Sequence, residues 1–211
     1  MTPARGDHDA RRLEVSEGVW RVLSTRGFEG LTLRAVAAEL GASTGLLTHY
    51  FPNKRALLSH ALEELDRRSG SRPRRTAPVD GTPPPPAGLP RLRAALLDVL
   101  PLDAAAAAGN RIWVGSWDVA LADPELAAAH AGRYARSREA LAVHVVDAQR
   151  RGELPAGSDA VAVATAAQAF VLGLVVQALF APGEFPAERQ TALLDAYLAG
   201  LAGPAAGGTG G

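Results

Sequence analysis

The fold is decided by residues 32–58, which read TLRAVAAELGASTGLLTHYFPNKRALL. Apolar residues recur at helical spacing over 33–40 and again over 44–50, and Gly41 interrupts the pattern between them. This pattern predicts two short helices joined by a tight turn, the arrangement of a helix-turn-helix. In proteins that use this motif, the second helix lies in the major groove of DNA.

Two longer helical patterns flank this stretch, over 9–26 and 54–68. Gly27 suits the end of the first, because glycine readily adopts the left-handed conformation found there. Side chains that can cap the other helix starts are Thr32, Ser43 or Thr44, and Asn53. The residues expected to pack into one apolar core are Leu13, Val19, Trp20, Leu23, Leu33, Val36, Ala37, Leu40, Leu46, Leu47, Phe51, Leu57, Leu58, Ala61, Leu62 and Leu65.

Packing these apolar residues inward leaves polar groups on the open side of the second short helix. They are short or planar, namely Thr44, Gly45, Thr48, His49 and Tyr50. Such groups can approach phosphates and base edges closely, which predicts a nucleic-acid surface. The alternatives are a contact within its own helix for His49 and a position half in the core for Tyr50.

The composition changes after residue 68. Residues 69–88 contain six prolines in twenty positions, which predicts an extended or disordered linker. A proline-rich ligand for another protein is the alternative interpretation. Helical patterns then resume over 90–102, 103–121, 123–151, 158–181 and 186–201.

No alternation typical of strands is present, so the expected fold class is all-α with about nine helices. We expect a loose arm over residues 1–8. The expected organisation is a helix-turn-helix domain over 1–53, a connecting helix over 54–68, the linker over 69–88, a second helical domain over 89–202 and a flexible tail over 203–211.

The composition bounds the class of protein. Alanine occupies 43 of 211 positions and 47% of residues are apolar, which suits a helical chain with a core. The absence of cysteine excludes disulfides and thiol catalysis. Residues 1–75 carry 13 Lys and Arg against 9 Asp and Glu, whereas 76–211 carry 9 against 13. This asymmetry favours a polyanion-binding N-terminal part, with chance as the alternative.

The location of the protein is also an expectation from sequence. The first twelve residues are polar and charged, without the apolar segment of a signal peptide, so a cytoplasmic location is expected. Residues 160–183 carry no charge over 24 positions, which is long enough to span a bilayer. Alanines and polar residues interrupt this run, so we favour a helix buried by its own domain and a second subunit.

A set of residues in the N-terminal part has a distinctive order and spacing: Gly27, Thr32, Val36, Ala37, Gly41, Ser43, Thr44, Gly45, His49, Tyr50, Phe51, Asn53, Lys54, Leu57 and Leu58. Over about residues 10–60 the chain thereby resembles the TetR family of transcriptional regulators. The segment STGLLTHYF over 43–51 is similar to the BetI-like group, although Thr48 stands where many members have tyrosine. Residues 100–103, 123–126, 152–154 and 173–179, with Trp113, Tyr134 and 197–198, resemble the BetI-type C-terminal domain.

The resemblance implies roles for individual residues. Thr32 and Lys54 would hold phosphates, and Arg34 would reach a base edge or a phosphate. The residues that would face the major groove are Thr44, Gly45, Thr48, His49 and Tyr50. For Arg34 and Lys54 the alternative is a solvated charge.

The second domain offers two candidate sites. Trp113 and Trp117 lie four residues apart on one predicted helix and share a face. The candidate effector site, with apolar walls and few polar groups, is Asn110, Trp113, Trp117, Tyr134, Gln168 and Phe170. The candidate dimer surface is Val171, Leu172, Val175, Leu179, Leu194, Tyr197 and Leu201. Packing inside one subunit is the alternative for both.

These observations predict a ligand-responsive regulator, in the first place a repressor. It would bind a palindromic double-stranded DNA operator as a homodimer, away from membranes, and a small-molecule effector would release it. The alternative is an interaction protein acting through the proline-rich segment. We do not expect an enzyme, a cofactor or a metal, because the five histidines lack metal-ligand spacing and no Gly-rich phosphate loop is present.

Overall fold

A computed structural model describes residues 5–78 and 81–202 of the chain, and the expected tail over 203–211 lies outside the described residues. Within them the chain is all-α, as predicted, and contains no strand. The helices are α1 (Arg5–Arg26), α2 (Leu33–Glu39), α3 (Thr44–Tyr50), α4 (Lys54–Gly70), α5 (Leu89–Leu97), α6 (Ala104–Leu121), α7 (Pro124–Arg150), α8 (Ala160–Phe180) and α9 (Ala187–Ala202).

Most helix boundaries lie within two residues of the prediction, and those of α1, α4 and α5 bear on the arm and the linker. α1 already begins at Arg5, so the part of the expected loose arm that is described is helical. α4 continues to Gly70, two residues into the predicted linker. α5 ends at Leu97 rather than near residue 102.

The starts and ends of the first helices follow local chemistry. Thr32, Ser43 and Asn53 each accept a hydrogen bond from the amide three residues further on, at 3.0, 3.3 and 2.9 Å, and so cap α2, α3 and α4. Ser43 rather than Thr44 is therefore the cap of α3. Gly27 and Gly41 adopt φ angles of 65° and 60° where α1 and α2 end, as predicted.

The described chain divides into two compact units. The first comprises Met1–Arg72 and Arg111–Ala127, and the second comprises Pro73–Asn110 and Ala128–Gly211. The change in composition predicts a domain boundary at the linker over 69–88. The structure instead groups the end of α6 and the start of α7 with the first four helices.

The first unit is built around one apolar core. The residues expected to face inward from α4 are all buried, whereas Leu13 of α1 is 59% exposed, contrary to the prediction. Phe51 is buried, as predicted, and Trp20 is only partly buried. Ala120 and Leu126 enter the same core from the α6–α7 corner, which we define as residues 118–126.

Gly18 allows α1 to pack closely against the end of α2. A Cβ atom at this position would lie 2.7 Å from Cδ2 and 2.8 Å from Cγ of Leu40. We expect Gly18→Val to lower the free energy of unfolding by about 1–3 kcal/mol through overpacking. Gly115→Ala is the matched control, since its Cβ would meet nothing within 4 Å and alanine favours a helix. Equal free energies of unfolding for the two variants, measured by urea unfolding, would contradict this packing.

An ionic network around the buried Glu64 joins α4 to α1. Glu64 is only 5% exposed and accepts hydrogen bonds from Arg67 and Arg68. Arg68 also pairs with Glu17 of α1 and lies over the ring of Trp20, 4.6 Å from its centroid. Burial by itself raises the pKa of Glu64, but the hydrogen bonds from the two arginines outweigh it and hold that pKa below its usual range.

His60 is a second polar group between α4 and α1. Its Nε2 lies 3.0 Å from Ser16 Oγ. Burial lowers the pKa of His60 below 6.5; Glu63 and Glu64 counteract this in part, and Arg12 adds to it.

This lowered pKa predicts acid sensitivity. The unfolded chain binds the proton of His60 more tightly than the folded chain, so the free energy of unfolding falls as the pH decreases below about 6.5. We expect His60→Gln to reduce this slope, measured by urea unfolding between about pH 7 and pH 5. Part of the slope remains in His60→Gln, because burial also lowers the pKa of His144. His49→Gln, at an exposed position, is the control, and an unchanged slope in His60→Gln would contradict the prediction.

The second unit fixes the described parts of the linker. The Arg75 guanidinium and its backbone amide both donate to the Asp98 carboxylate, each at 3.0 Å. Arg91 donates two hydrogen bonds to the Pro85 carbonyl, at 3.0 and 2.6 Å. The composition predicts an extended or disordered linker, but the described residues on either side of 79–80 include turns and are anchored to α5.

Candidate nucleic-acid interface

α3 presents a polar face and buries an apolar one. Leu47 is fully buried in the first unit, whereas Thr44, Gly45, Thr48 and His49 are exposed. This division follows from the helical period, because Leu47 falls on the side that meets the core. The open face of α3 is therefore free to meet a ligand, as the sequence predicts.

Two contacts organise this face. Thr48 donates its hydroxyl to the Gly45 carbonyl at 2.8 Å, so the remaining lone pairs and the methyl group face outward. The rings of His49 and Tyr50 meet edge to face, with centroids 5.7 Å apart. Tyr50 is half-buried, in agreement with a position half in the core.

The predicted phosphate contacts are exposed residues of the same unit. Thr32 Oγ1 accepts the hydrogen bond from the Ala35 amide that caps α2. Its hydroxyl hydrogen can still be donated to another group. Arg34 lies in the first turn of α2, and Lys54 is the first residue of α4. Amides of a first helical turn also attract anions, so Lys54 is well placed to hold a phosphate.

The partners of Arg55 are not predicted by the sequence. Its guanidinium contacts Asp123 and Glu125 of the α6–α7 corner at 2.8 and 3.1 Å. The Asp-Pro pair at 123–124 was correctly interpreted as a helix start. No local signal links it to α4, because Arg55 and Glu125 are 70 residues apart.

The six predicted effector residues are divided between the units. Trp113 and Trp117 belong to the first unit, and Asn110, Tyr134, Gln168 and Phe170 to the second. In the second unit, the Gln168 amide donates to the Tyr134 carbonyl at 3.3 Å and its oxygen faces Arg138 at 3.4 Å.

Two further effector candidates have partners within the second unit. The ring of Phe170 stacks on Tyr197 with centroids 4.3 Å apart. The Asn110 amide donates to the Val99 carbonyl at 3.0 Å.

Three residues of the predicted dimer surface are misplaced. Val171, Val175 and Leu194 are buried within the second unit and form part of its core. Leu172, Leu179, Tyr197 and Leu201 are half-buried. Periodicity could not separate the two sides of α8, because the helix is apolar all round.

The exposed positions of α8 include a row of small residues, beside the larger Val161, Thr165 and Gln177. Ala162, Ala166, Ala169 and Gly173 follow one another at helical spacing, and all are exposed. Phe180, at the end of the helix, is 84% exposed. On α9 the exposed small residues are Ala192, Ala196, Ala199, Gly200 and Ala202. By length and composition alone, α8 is also apolar enough to cross a membrane, with a mean hydropathy of 1.9.

Comparison with protein families decides the identity of this architecture. Residues 10–61 match the model of the bacterial regulatory proteins of the tetR family. Residues 89–203 match the model of the BetI-type transcriptional repressor C-terminal domain. The chain belongs to the TetR family, in its BetI-like group. Its first unit thus carries the DNA-binding domain of a TetR-family transcriptional regulator, a class of proteins that are not enzymes. The α8 segment lies inside the BetI-type domain.

Individual relatives agree with this membership. The chain is 39% identical over 66 residues to the HTH-type transcriptional regulator PksA of Bacillus subtilis, a match that covers 31% of the chain and 32% of PksA. It is 28% identical over 130 residues to the HTH-type transcriptional regulator BetI of Paraburkholderia phytofirmans, covering 59% of the chain and 62% of BetI. The matches thus span about a third and about three-fifths of these two TetR-family relatives.

A solved structure shares the TetR fold. The transcriptional regulator of Saccharomonospora viridis, determined in complex with choline, superposes with a TM-score of 0.71. The sequences are 21% identical, and the superposition covers 91% of this chain and 96% of that one.

Proposed function

We propose that this TetR-family regulator is a ligand-responsive repressor that binds a palindromic operator as a dimer in the cytoplasm. The observation that carries the proposal is the exposed polar face of α3, with Arg34 and Lys54 exposed on the neighbouring helices. In this arrangement Arg34 and Lys54 bind phosphates of the DNA backbone and fix the register of the protein on the duplex. Thr44, Gly45, Thr48, His49 and Tyr50 then read base edges.

The small-residue face of α8 and α9 supports the dimer. The α8 part of this surface carries no charge, so two copies of the helix can approach closely and exclude water from the contact. An isologous pair places two copies of α3 about a two-fold axis, which matches the symmetry of a palindrome. Leu172, Leu179, Tyr197 and Leu201 then border the contact instead of forming its centre.

The effector is a small molecule bound by the BetI-type domain. The Trp117 indole supports this proposal, because its buried Nε1 donor has no partner among the described residues. Effector binding shifts α4 and thereby the separation of the two copies of α3. Such a coupling between two sites is typically about 1–3 kcal/mol. Choline, bound by the regulator of Saccharomonospora viridis, is the first compound to test.

Selection of bound sequences from random double-stranded DNA tests the proposal. We expect an enriched palindrome whose affinity falls steeply with salt, because phosphate contacts release counterions. Choline is then titrated against the complex. A folded dimer that enriches no sequence would contradict the proposed function, whereas release by another compound would contradict choline alone.

A further inference from the structure

Arg55, in the first turn of α4, is held by two carboxylates at once. Its Nε lies 2.8 Å from Asp123 Oδ2, and its Nη1 lies 3.1 Å from Glu125 Oε1. A guanidinium carries its donors in a fixed planar fork, so two acceptors constrain both its position and its orientation. A cation in the first turn of a helix is unfavourable by itself, because that end of the helix dipole is positive. The two carboxylates offset this cost.

Asp123 is itself fixed in place. Its Oδ1 accepts hydrogen bonds from the amides of Glu125 and Leu126, at 3.0 and 3.3 Å, and so caps α7. The side chain of Leu126 is buried in the core that α1 to α4 share, together with Ala120. Arg55 therefore ties the first turn of α4 to a rigid corner of the same unit.

Lys54 precedes Arg55 in that turn, and the following inference rests on the proposed function, in which Lys54 holds an operator phosphate. We propose that Arg55 is a positioning residue for operator binding. It holds the first turn of α4 on the α6–α7 corner, and its own charge is satisfied by Asp123 and Glu125 rather than by DNA.

A direct phosphate contact is the competing role for Arg55, whose side chain is 53% exposed. The two roles predict opposite effects on operator binding when the Glu125 carboxylate is removed. If Arg55 positions α4, removing Glu125 loosens the turn and weakens binding. If Arg55 binds phosphate, removing Glu125 frees the cation and strengthens binding.

The test uses Arg55→Gln, Glu125→Gln and the double variant in the full chain. Asp123 stays unchanged because it caps α7. Glu63→Gln is the matched control, since Glu63 is an exposed carboxylate of α4 with no ion pair among the described residues. Operator affinity is measured over a salt series. Hydrogen exchange of the Ala56 and Leu57 amides, which donate to Asn53, is measured without DNA.

We expect Arg55→Gln and Glu125→Gln each to weaken operator binding by about two- to fivefold, as the loss of an exposed ion pair allows. We expect the double variant to bind the operator no more weakly than Arg55→Gln. In these variants the salt slope of operator binding is unchanged, and the Ala56 and Leu57 amides exchange faster than in the wild-type chain. Glu63→Gln leaves exchange and salt slope unchanged and does not weaken binding.

Several results would overturn the positioning role. One is a salt slope that falls by about 0.9 per subunit in Arg55→Gln, which marks a phosphate contact. Stronger operator binding by Glu125→Gln would also overturn it. So would unchanged exchange of the Ala56 and Leu57 amides in Arg55→Gln and Glu125→Gln. If the wild-type chain selects no operator, the proposed function fails, and the exchange measurement alone then decides whether Arg55 holds the turn.

Discussion

Ala169→Glu is expected to convert the dimer into monomers and to abolish tight operator binding. Ala169 is exposed near the middle of the small-residue face of α8, so the subunit itself tolerates the longer side chain. In the dimer, each glutamate would place an unpaired carboxylate against α8 of the partner subunit, and α8 carries no counter-charge. This costs on the order of 3 kcal/mol or more, or a factor of at least about 100 in the dissociation constant.

Sedimentation and a gel shift on the selected operator measure the two effects of Ala169→Glu. Val143→Glu is the control, because Val143 is an exposed apolar residue of α7 outside the α8–α9 face. A dimeric Ala169→Glu protein with unchanged operator affinity would show that subunits associate through another surface.

The double variant Arg34→Ala/Lys54→Ala is expected to lose at least about tenfold in operator affinity. Each lost phosphate contact also reduces the salt slope by about 0.9, so a dimer that loses two contacts per subunit becomes much less sensitive to salt. A salt series of gel shifts measures both quantities. The double variant Arg150→Ala/Arg189→Ala, which removes two exposed arginines, controls for the change in net charge. Equal slopes for the two double variants would contradict the assigned phosphate contacts.

Local chemistry made the first unit largely predictable from sequence. The caps Thr32, Ser43 and Asn53 and the glycine at residue 41 act within one helical turn, so their signals are contained in the 27 residues over 32–58. The inward set on α4 was confirmed in full, because its apolar and polar residues alternate at a clear helical period. Leu13 fails the same test, since the outer turns of α1 have little to pack against.

The second unit was less predictable for a physical reason. Every side of α8 is apolar, so no contrast distinguishes buried Val171 and Val175 from exposed Ala169 and Gly173. Small side chains give a weak hydrophobic signal, although they let helices approach most closely. The sequence therefore predicts bulky residues at the dimer surface, although Val171, Val175 and Leu194 are buried within the subunit.

Pairs distant in sequence were beyond prediction altogether. Arg68 meets Glu17 across 51 residues, and Arg55 meets Glu125 across 70. Neither pair leaves a pattern in the chain, because only the packing of helices brings its members together.

The chemistry of α8 also bears on which chains can associate in a cell that holds several related regulators. Like charges that meet across a contact reject unsuitable partners by repulsion, but α8 has no charged residue in its 21 positions. A paralogue with an equally small and neutral helix would meet no electrostatic barrier. In the proposed dimer, exclusion of mixed pairs then depends on shape, and the exposed ring of Phe180 is a feature that a foreign subunit would have to accommodate.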